Sequence, residues 1–306
     1  MQTNTPPRSG NRLTRRSRVR LTRRGRLVIV VAGAVVAGTA VAVPLLVLGA
    51  GREQAEPAAL VIPEGWRAGQ VYDAIDRALQ LPPGSTLKSL GKAALKLPGE
   101  AGGNPEGYLF PATYPVKKGA TPESLLRSMV DTAMGKYTAA PVAAGAQRSA
   151  MNIYQTVTIA SIVQAEAATK ADMGKVARVI FNRLEHGMPL QMDSTINYAM
   201  NRSTLDTSVG DTRTESPYNS YQRMGLPPTP IDNPGEDAMR AALNPTPGDW
   251  LYFVTVRPGD TRFSADYASH LRNVAEFNAL RQGAATDRPM DRSEPSSLAP
   301  AQPPVR

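Results

Sequence analysis

Val157-Thr158-Ile159-Ala160-Ser161-Ile162-Val163-Gln164-Ala165-Glu166-Ala167 opens a stretch that runs to Met200 and decides how the rest of the chain is read. The segment reads as an apolar helix ending in a carboxylate. A second helix, KVARVIFNRLEHG (175–187), and the polar run MPLQMDSTINYAM (188–200) follow it. Ile159, Ile162, Val163 and Glu166 stand at i, i+3, i+4 and i+7, so a helix places them on one face. That sets a lone carboxyl in line with a buried stripe. Burial disfavours the charged form and raises the pKa, as a general acid working near neutrality requires. A helix-end glutamate that escapes to solvent is the plainer reading of this residue taken alone. The rest of the chain decides between the two.

The net charge of +9 on 306 residues suggests a nucleic-acid partner until its location is checked. Residues 1–26 carry nine arginines, no lysine and no acid, which leaves 26 basic against 26 acidic residues elsewhere. The basic excess belongs to a tail, and nucleic acid is rejected as the partner of the folded part. Residues 27–49 contain no charged residue and are built of Val, Ala, Leu, Ile, Gly, one Thr and Pro44. About 20 residues suffice to cross a bilayer as a helix. The arginines before this run and the single Arg52 just after it predict a cytoplasmic N-terminus and an extracytoplasmic domain. A cleavable signal peptide is the rival, but the run is long for one, so a retained single-pass anchor in the cell membrane is expected. The absence of cysteine excludes disulfides, thiol nucleophiles and thiolate metal sites, and two histidines, His186 and His270, exclude a histidine-rich centre.

The order of elements predicts an α+β fold. Residues 50–59 read as a linker. Leu60-Val61-Ile62 reads as a strand, Gly69 to Leu81 and the stretch from Ser85 as two helices, and Tyr108 to Val116 as what completes a small module over 60–118. Within it, the three aromatics and two prolines of Glu106 to Pro115 exclude a regular helix. That segment is either a packed connector or a wall of a carbohydrate groove. Thr121-Pro122-Glu123 starts a helix, and Ala139 to Ala146 reads as an Ala/Gly/Pro loop. Asn182 and Arg183 are expected either to bond at the core edge or to position the loop after their helix. Gln191, Asp193, Ser194 and Thr195 crowd that loop, which matters only if it folds back over Glu166. Proline-ordered loops holding Tyr218 and Asn219 follow. Glu236 to Leu243 forms a helix, Trp250 to Val256 and Thr261 to Ser264 a β-hairpin, and Asp266 to Leu280 a closing helix. Residues 119–280 make up the main domain, and 281–306 read as a disordered tail.

Together ASIVQAEA, VARVIFNRLEHGMPLQMDSTINYAM, SPYNSYQRMGLPPTPIDNPG and LYFVTVRPGDTRFSADYASH resemble the MltG (YceG-like) family of endolytic murein transglycosylases, as do EGYLFPATY and VIPEGW upstream. The resemblance covers roughly residues 60–280. It implies a membrane-anchored enzyme with a small LysM-like βααβ module before the catalytic domain. Such an enzyme cuts nascent peptidoglycan strands between N-acetylmuramic acid and N-acetylglucosamine, and leaves 1,6-anhydro ends. The family's motif places the catalytic glutamate at Glu166. Many members carry a second glutamate two positions earlier, where this chain has Gln164, so Glu166 is expected to act alone. Gln191, Asp193, Thr195, Tyr218 and Asn219 are candidates for orienting the sugar or the glutamate. No cofactor is implied. The expected partners are peptidoglycan strands and the cytoplasmic membrane, with peptidoglycan synthases as companions in strand termination.

Three other readings stand beside this one. A membrane-tethered glycan-binding scaffold would keep the module and the aromatic loops and tolerate loss of Glu166. A hydrolytic glycosidase would pair Glu166 with Asp193 across about 5–9 Å. A serine hydrolase would pair His270 with Ser161 or Ser194, but no GxSxG elbow is present.

Overall fold

A short strand, β1 (Ala58–Val61), opens the fold and pairs antiparallel with β2 (Thr113–Val116), Leu60 lying opposite Tyr114. The computed structural model describes residues 58–286 except 149, 203–207 and 209. The expected tail, membrane span and most of the linker therefore lie outside the described residues. Among the described residues no helix is long and apolar enough to cross a membrane.

Between the two strands lie α1 (Ala68–Ala78), α2 (Ser85–Ser89) and two single 3₁₀ turns. The β–α–α–β order is the one read from the sequence, although α1 stops three residues short of Leu81. Leu79 caps it, and Gln80 takes a left-handed φ of 55°. Asp76 then fastens the start of α2, accepting from Gly84 N (2.7 Å), Thr86 N (2.8 Å) and Thr86 Oγ1 (2.6 Å). The segment from Glu106 to Pro115 is the packed connector. Tyr108, Leu109 and Phe110 are buried, with the Tyr108 ring edge-on to Tyr137 at 5.9 Å. Gly107 is required there, because a Cβ would stand 2.6 Å from Pro230.

Thr121 caps α3 (Pro122–Tyr137), its hydroxyl accepting from Ser124 N in a capping box. Leu125, Leu126, Met129, Val130 and Ala133 form its buried face. The expected loop at 139–146 is instead a helix, α4 (Ala140–Arg148). Alanine has the highest helix propensity, and it outweighs the glycine. Gly145 serves packing, since a Cβ there would come within 2.9 Å of Leu243.

Asn152 starts α5 (Ile153–Glu166), accepting from Gln155 N at 2.8 Å while Gln155 Oε1 accepts from Asn152 N. A one-faced apolar stripe was expected here, but every residue from Thr156 to Val163 is buried. A helix enclosed on all sides must satisfy its hydroxyls internally. Thr156 and Thr158 donate to carbonyls one turn back, and Ser161 donates to Thr158 O at 2.8 Å. This central helix packs against α6 (Lys170–Glu185) and α8 (Glu236–Leu243), and more lightly against α7 (Asp193–Ala199).

The closing hairpin joins β3 (Tyr252–Arg257) to β4 (Asp260–Ser264), with a register irregularity between Thr255 and Arg257. The last helix, α9 (Tyr267–Thr286), packs on it. It runs past Leu280, so 281–286 belong to a helix rather than to the expected disordered tail. Arg, Gln and Ala continue a helix readily, which is why the element outlasts its apolar pattern. Residues 287–306 lie outside the described residues. The small antiparallel sheets around a helical centre make the domain α+β.

Candidate active site

Because α5 is buried from Thr156 to Val163, its last residue emerges where the core ends. Ala167 leaves the helical conformation, and Glu166 enters a cleft of about 530 Å³. Two bodies of sequence far apart in the chain wall this cleft. One is the turn before α1, with Glu64, Trp66 and Arg67. The other comprises the end of α5, the start of α7, and Ile231-Asp232. The aromatic wall suspected at Glu106 to Pro115 is thus supplied instead by Trp66.

Glu166 retains some solvent access as a residue, but protein crowds its carboxyl. Burial pushes its pKa up, and the nearby Asp193 charge adds to the rise. Two donors from one residue work the other way. Ser194 Oγ lies 2.6 Å and Ser194 N 3.1 Å from Glu166 Oε1. Both donors come from the first turn of α7, whose free amides and dipole favour negative charge. Burial therefore favours the protonated carboxyl, which nonetheless meets ready donors once it ionises. That combination suits a group required to give up a proton and take one back.

The polar stretch at 191–195 matters to the site only if it returns over Glu166. It does return, but as the start of a helix. Asp193 stands in the first turn, where a carboxylate suits the dipole, and Thr195 Oγ1 bonds back to Met192 O at 2.7 Å. Of the five orienting candidates, Asp193 is the one that lines the cleft, where its Oδ1 accepts from the Tyr221 hydroxyl at 2.7 Å.

The other four support the frame. Gln191 is exposed, adopts φ 52°, and accepts from Arg183 Nη1 at 3.1 Å. Thr195 is fully buried against Ser220 Oγ at 2.8 Å. Tyr218 pairs its hydroxyl with Thr229 Oγ1 at 3.0 Å and packs its ring on Tyr198. Asn219 donates to Thr212 O and Thr214 O and accepts from Tyr221 N, tying its loop together.

Both residues considered for positioning the loop do bond at that edge. Arg183 donates to Pro189 O, Leu190 O and Leu251 O, and Asn182 to Gly248 O and Trp250 O. Gln164, where a second glutamate was the alternative, accepts from Gly235 N at 3.0 Å and so joins the end of α5 to the start of α8.

Ser194, Trp66, Arg67 and Asp232 line the cleft but are not among the orienting candidates that the sequence offers. The signal for Ser194 was its adjacency to Asp193 at a helix start, where backbone and hydroxyl donors converge. The histidine–serine alternative fails on geometry. Ser161 is occupied by Thr158 O and Ile231 N, Ser194 bonds Glu166, and His270 stacks on Tyr252 at 5.2 Å. Among the described residues no group of His, Asp and Glu is arranged to hold a metal ion.

Comparison with known proteins places this architecture. The model of the YceG-like family matches residues 39–276. Over 177 residues the chain is 40% identical to the endolytic murein transglycosylase of Streptococcus pneumoniae serotype 2 (strain D39), covering 56% of this chain and 32% of that one. A Bacillus subtilis (strain 168) protein of the same name is 38% identical over 168 residues, or 54% of this chain and 46% of that one. The matched region thus spans less than half the length of either relative. A crystal structure of a yceG-like protein from Listeria monocytogenes superposes with a TM-score of 0.64 at 31% identity, over 71% of this chain and 75% of the other. By the extent of the family match, the chain belongs to the YceG-like family.

Proposed function

We propose that the chain is an endolytic peptidoglycan lytic transglycosylase that cleaves glycan strands between N-acetylmuramic acid and N-acetylglucosamine. The observation that carries this reading is the Glu166 carboxyl, raised in pKa by burial, open to the cleft, and met by both donors of Ser194. The names of the pneumococcal and Bacillus relatives support it.

The neutral carboxyl gives its proton to the glycosidic oxygen as the bond from C1 of the muramic acid breaks. Ser194 N and Oγ take up the charge left on Glu166. The carboxylate then removes the proton from the C6 hydroxyl of the same sugar, and O6 closes on C1 as a 1,6-anhydro ring. Glu166 ends as it began, and no water is consumed. Ring closure is intramolecular, where proximity is worth about 7–11 kcal/mol in well-oriented cases. Trp66 offers an aromatic face and Gln70 an amide to the strand from the opposite wall.

In this reading the β–α–α–β unit is the LysM-like module. The charge-free run at 27–49, preceded by nine arginines, anchors the enzyme in the cytoplasmic membrane with its cleft outside. There it meets nascent strands beside the synthases that make them, and cutting terminates elongation.

One observation favours a second reading. Asp193 lines the same cleft and belongs to the same helical turn as Ser194, as a hydrolase using two carboxylates would need. Digestion of peptidoglycan with wild type and Asp193→Asn, followed by mass spectrometry of the ends, separates the two. The transglycosylase gives 1,6-anhydro ends, and the variant is slowed roughly tenfold, the scale of one lost hydrogen-bonded charge. Reducing ends, lost altogether in the variant, would establish the hydrolase.

A further inference from the structure

Asp232 is a further carboxyl of the cleft, beside Glu64, Glu166 and Asp193, and nothing in the reaction above uses it. It is 4% exposed, and its Oδ1 is buried with no hydrogen-bond partner. Its neighbours in the chain are fully engaged. Ile231 N donates to Ser161 Oγ at 3.0 Å. Asn233 donates from both its backbone N and its Nδ2 to Trp66 O, and its Oδ1 accepts from Leu109 N at 2.8 Å. The backbone is therefore clamped on both sides, and the side chain is held where it is by the fold.

The charged and titratable groups facing it are Glu106 from the connector, Arg67 from the turn before α1, and Tyr137 from α3. Glu64, Glu166 and Asp193 stand around the same cleft. Arg67 has spent its guanidinium on Asn197 O (3.3 Å) and Arg202 O (2.9 Å), and it stacks over the Tyr198 ring. Burial, with Glu106 close by, pushes the Asp232 carboxyl well above the ordinary range and so favours its neutral form. A neutral carboxyl offers an O–H donor, and a buried donor without an acceptor is disfavoured until one arrives. The open volume beside it is the cleft.

We propose that Asp232 is a glycan-contacting residue that donates a hydrogen bond from the floor of the cleft to an amide oxygen of the bound strand. Resting on the glycan reading of the cleft, this adds a means of selecting N-acetylated sugars. The partner's identity follows from the donor. A carboxylate would seek hydroxyl protons, whereas a carboxylic acid seeks the best acceptor, which on a glycan strand is the acetamido carbonyl. Glu166 and Asp232 thus divide the work, one at the bond to be broken and one at a group that marks the sugar.

Calorimetry on the full chain in detergent tests this, with Glu166→Gln present so that no strand is consumed. The β-1,4-linked hexamer of N-acetylglucosamine is compared with the glucose hexamer of the same linkage, which is neutral and lacks the acetamido group. Asp232→Leu is expected to weaken the N-acetylated hexamer roughly tenfold and leave the glucose hexamer unchanged. Asp232→Asn, whose amide also donates, should restore affinity to within about threefold. Raising the pH through the range in which the Asp232 carboxyl ionises should weaken the N-acetylated hexamer for Asp232 but not for its Asn variant.

An unchanged preference in a folded Asp232→Leu protein would overturn the inference and leave the glycan reading standing. Should that variant not fold, equal pH responses of wild type and Asp232→Asn would overturn it instead. Failure of both hexamers to bind any form would overturn the glycan reading, and this inference with it.

Discussion

Glu106 and Glu166 are the same residue type, both held above the ordinary carboxyl range by burial, yet they occupy opposite situations. Glu106 is closed in. Its Oε1 accepts from Ala68 N at 2.8 Å and from Asn233 Nδ2 at 3.4 Å, and its Oε2 accepts from the Tyr198 hydroxyl at 3.1 Å. Those bonds tie the first turn of α1 to α7 and to the loop before α8. Glu166 opens on the cleft, and both its donors come from Ser194. A raised pKa alone therefore does not mark a catalytic acid. Access and the origin of the donors separate a joint from a tool.

Three measurements sharpen or break that contrast. The largest stability effect belongs to Glu106. Its carboxyl is pushed up to about 7 in the folded chain from an ordinary 4.5, so the folded state holds a proton that the unfolded chain releases. Between those values unfolding releases a proton, and stability falls as pH rises, by up to about 3 kcal/mol for this group. Asp232, raised in the same direction, adds a loss of the same sign. Denaturant titrations from pH 4 to 8 should show the decline in wild type and a flatter line in Glu106→Gln. An identical decline in both would refute the role given to Glu106.

Ser194→Ala comes next, with a rate loss of roughly tenfold. Its hydroxyl favours the charged form of Glu166, so without it the carboxyl titrates higher. The limb on which activity falls as Glu166 ionises should move to higher pH. A downward or absent shift in the pH–rate profile would argue against Ser194 as the group that steadies Glu166. The smallest effect is expected from Asn219→Ala. Losing the bonds to Thr212 O and Thr214 O should cost about 1–2 kcal/mol of stability with little change in product pattern, as melting and digestion together would report.

The same contrast explains what was legible in the sequence. Helical periodicity and capping signals located α3, α5, α6, α8 and the hairpin within a few residues, because those signals are local. Three elements escaped. The α4 helix was hidden by glycine and proline within an alanine run. The α7 helix was hidden because polar residues at a helix start look like a loop. The end of α9 was hidden because helix formers carried it beyond its apolar pattern. At the site, Glu166 could be singled out by its place at the end of a buried run. Trp66, Arg67 and Asp232 could not, since they reach the cleft only through the packing of segments about 130 residues apart, as Arg67 to Asn197 O exemplifies. Tyr218 and Asn219 looked like sugar-binding side chains. The fold pairs Tyr218 with Thr229 and Tyr198, and Asn219 ties its own loop through Thr212 O and Thr214 O, and nothing local in the sequence separates those uses from sugar binding.

In the proposed function Glu166 alone carries the acid–base chemistry, apart from the joints that hold the fold. Peptidoglycan digested with wild type, Glu166→Gln and Glu106→Gln, each checked for folding and read by mass spectrometry, tests it most directly. Wild type, and Glu106→Gln wherever it remains folded, are expected to give 1,6-anhydro-N-acetylmuramic acid ends, and a fully folded Glu166→Gln none. Anhydro ends persisting in Glu166→Gln would contradict it.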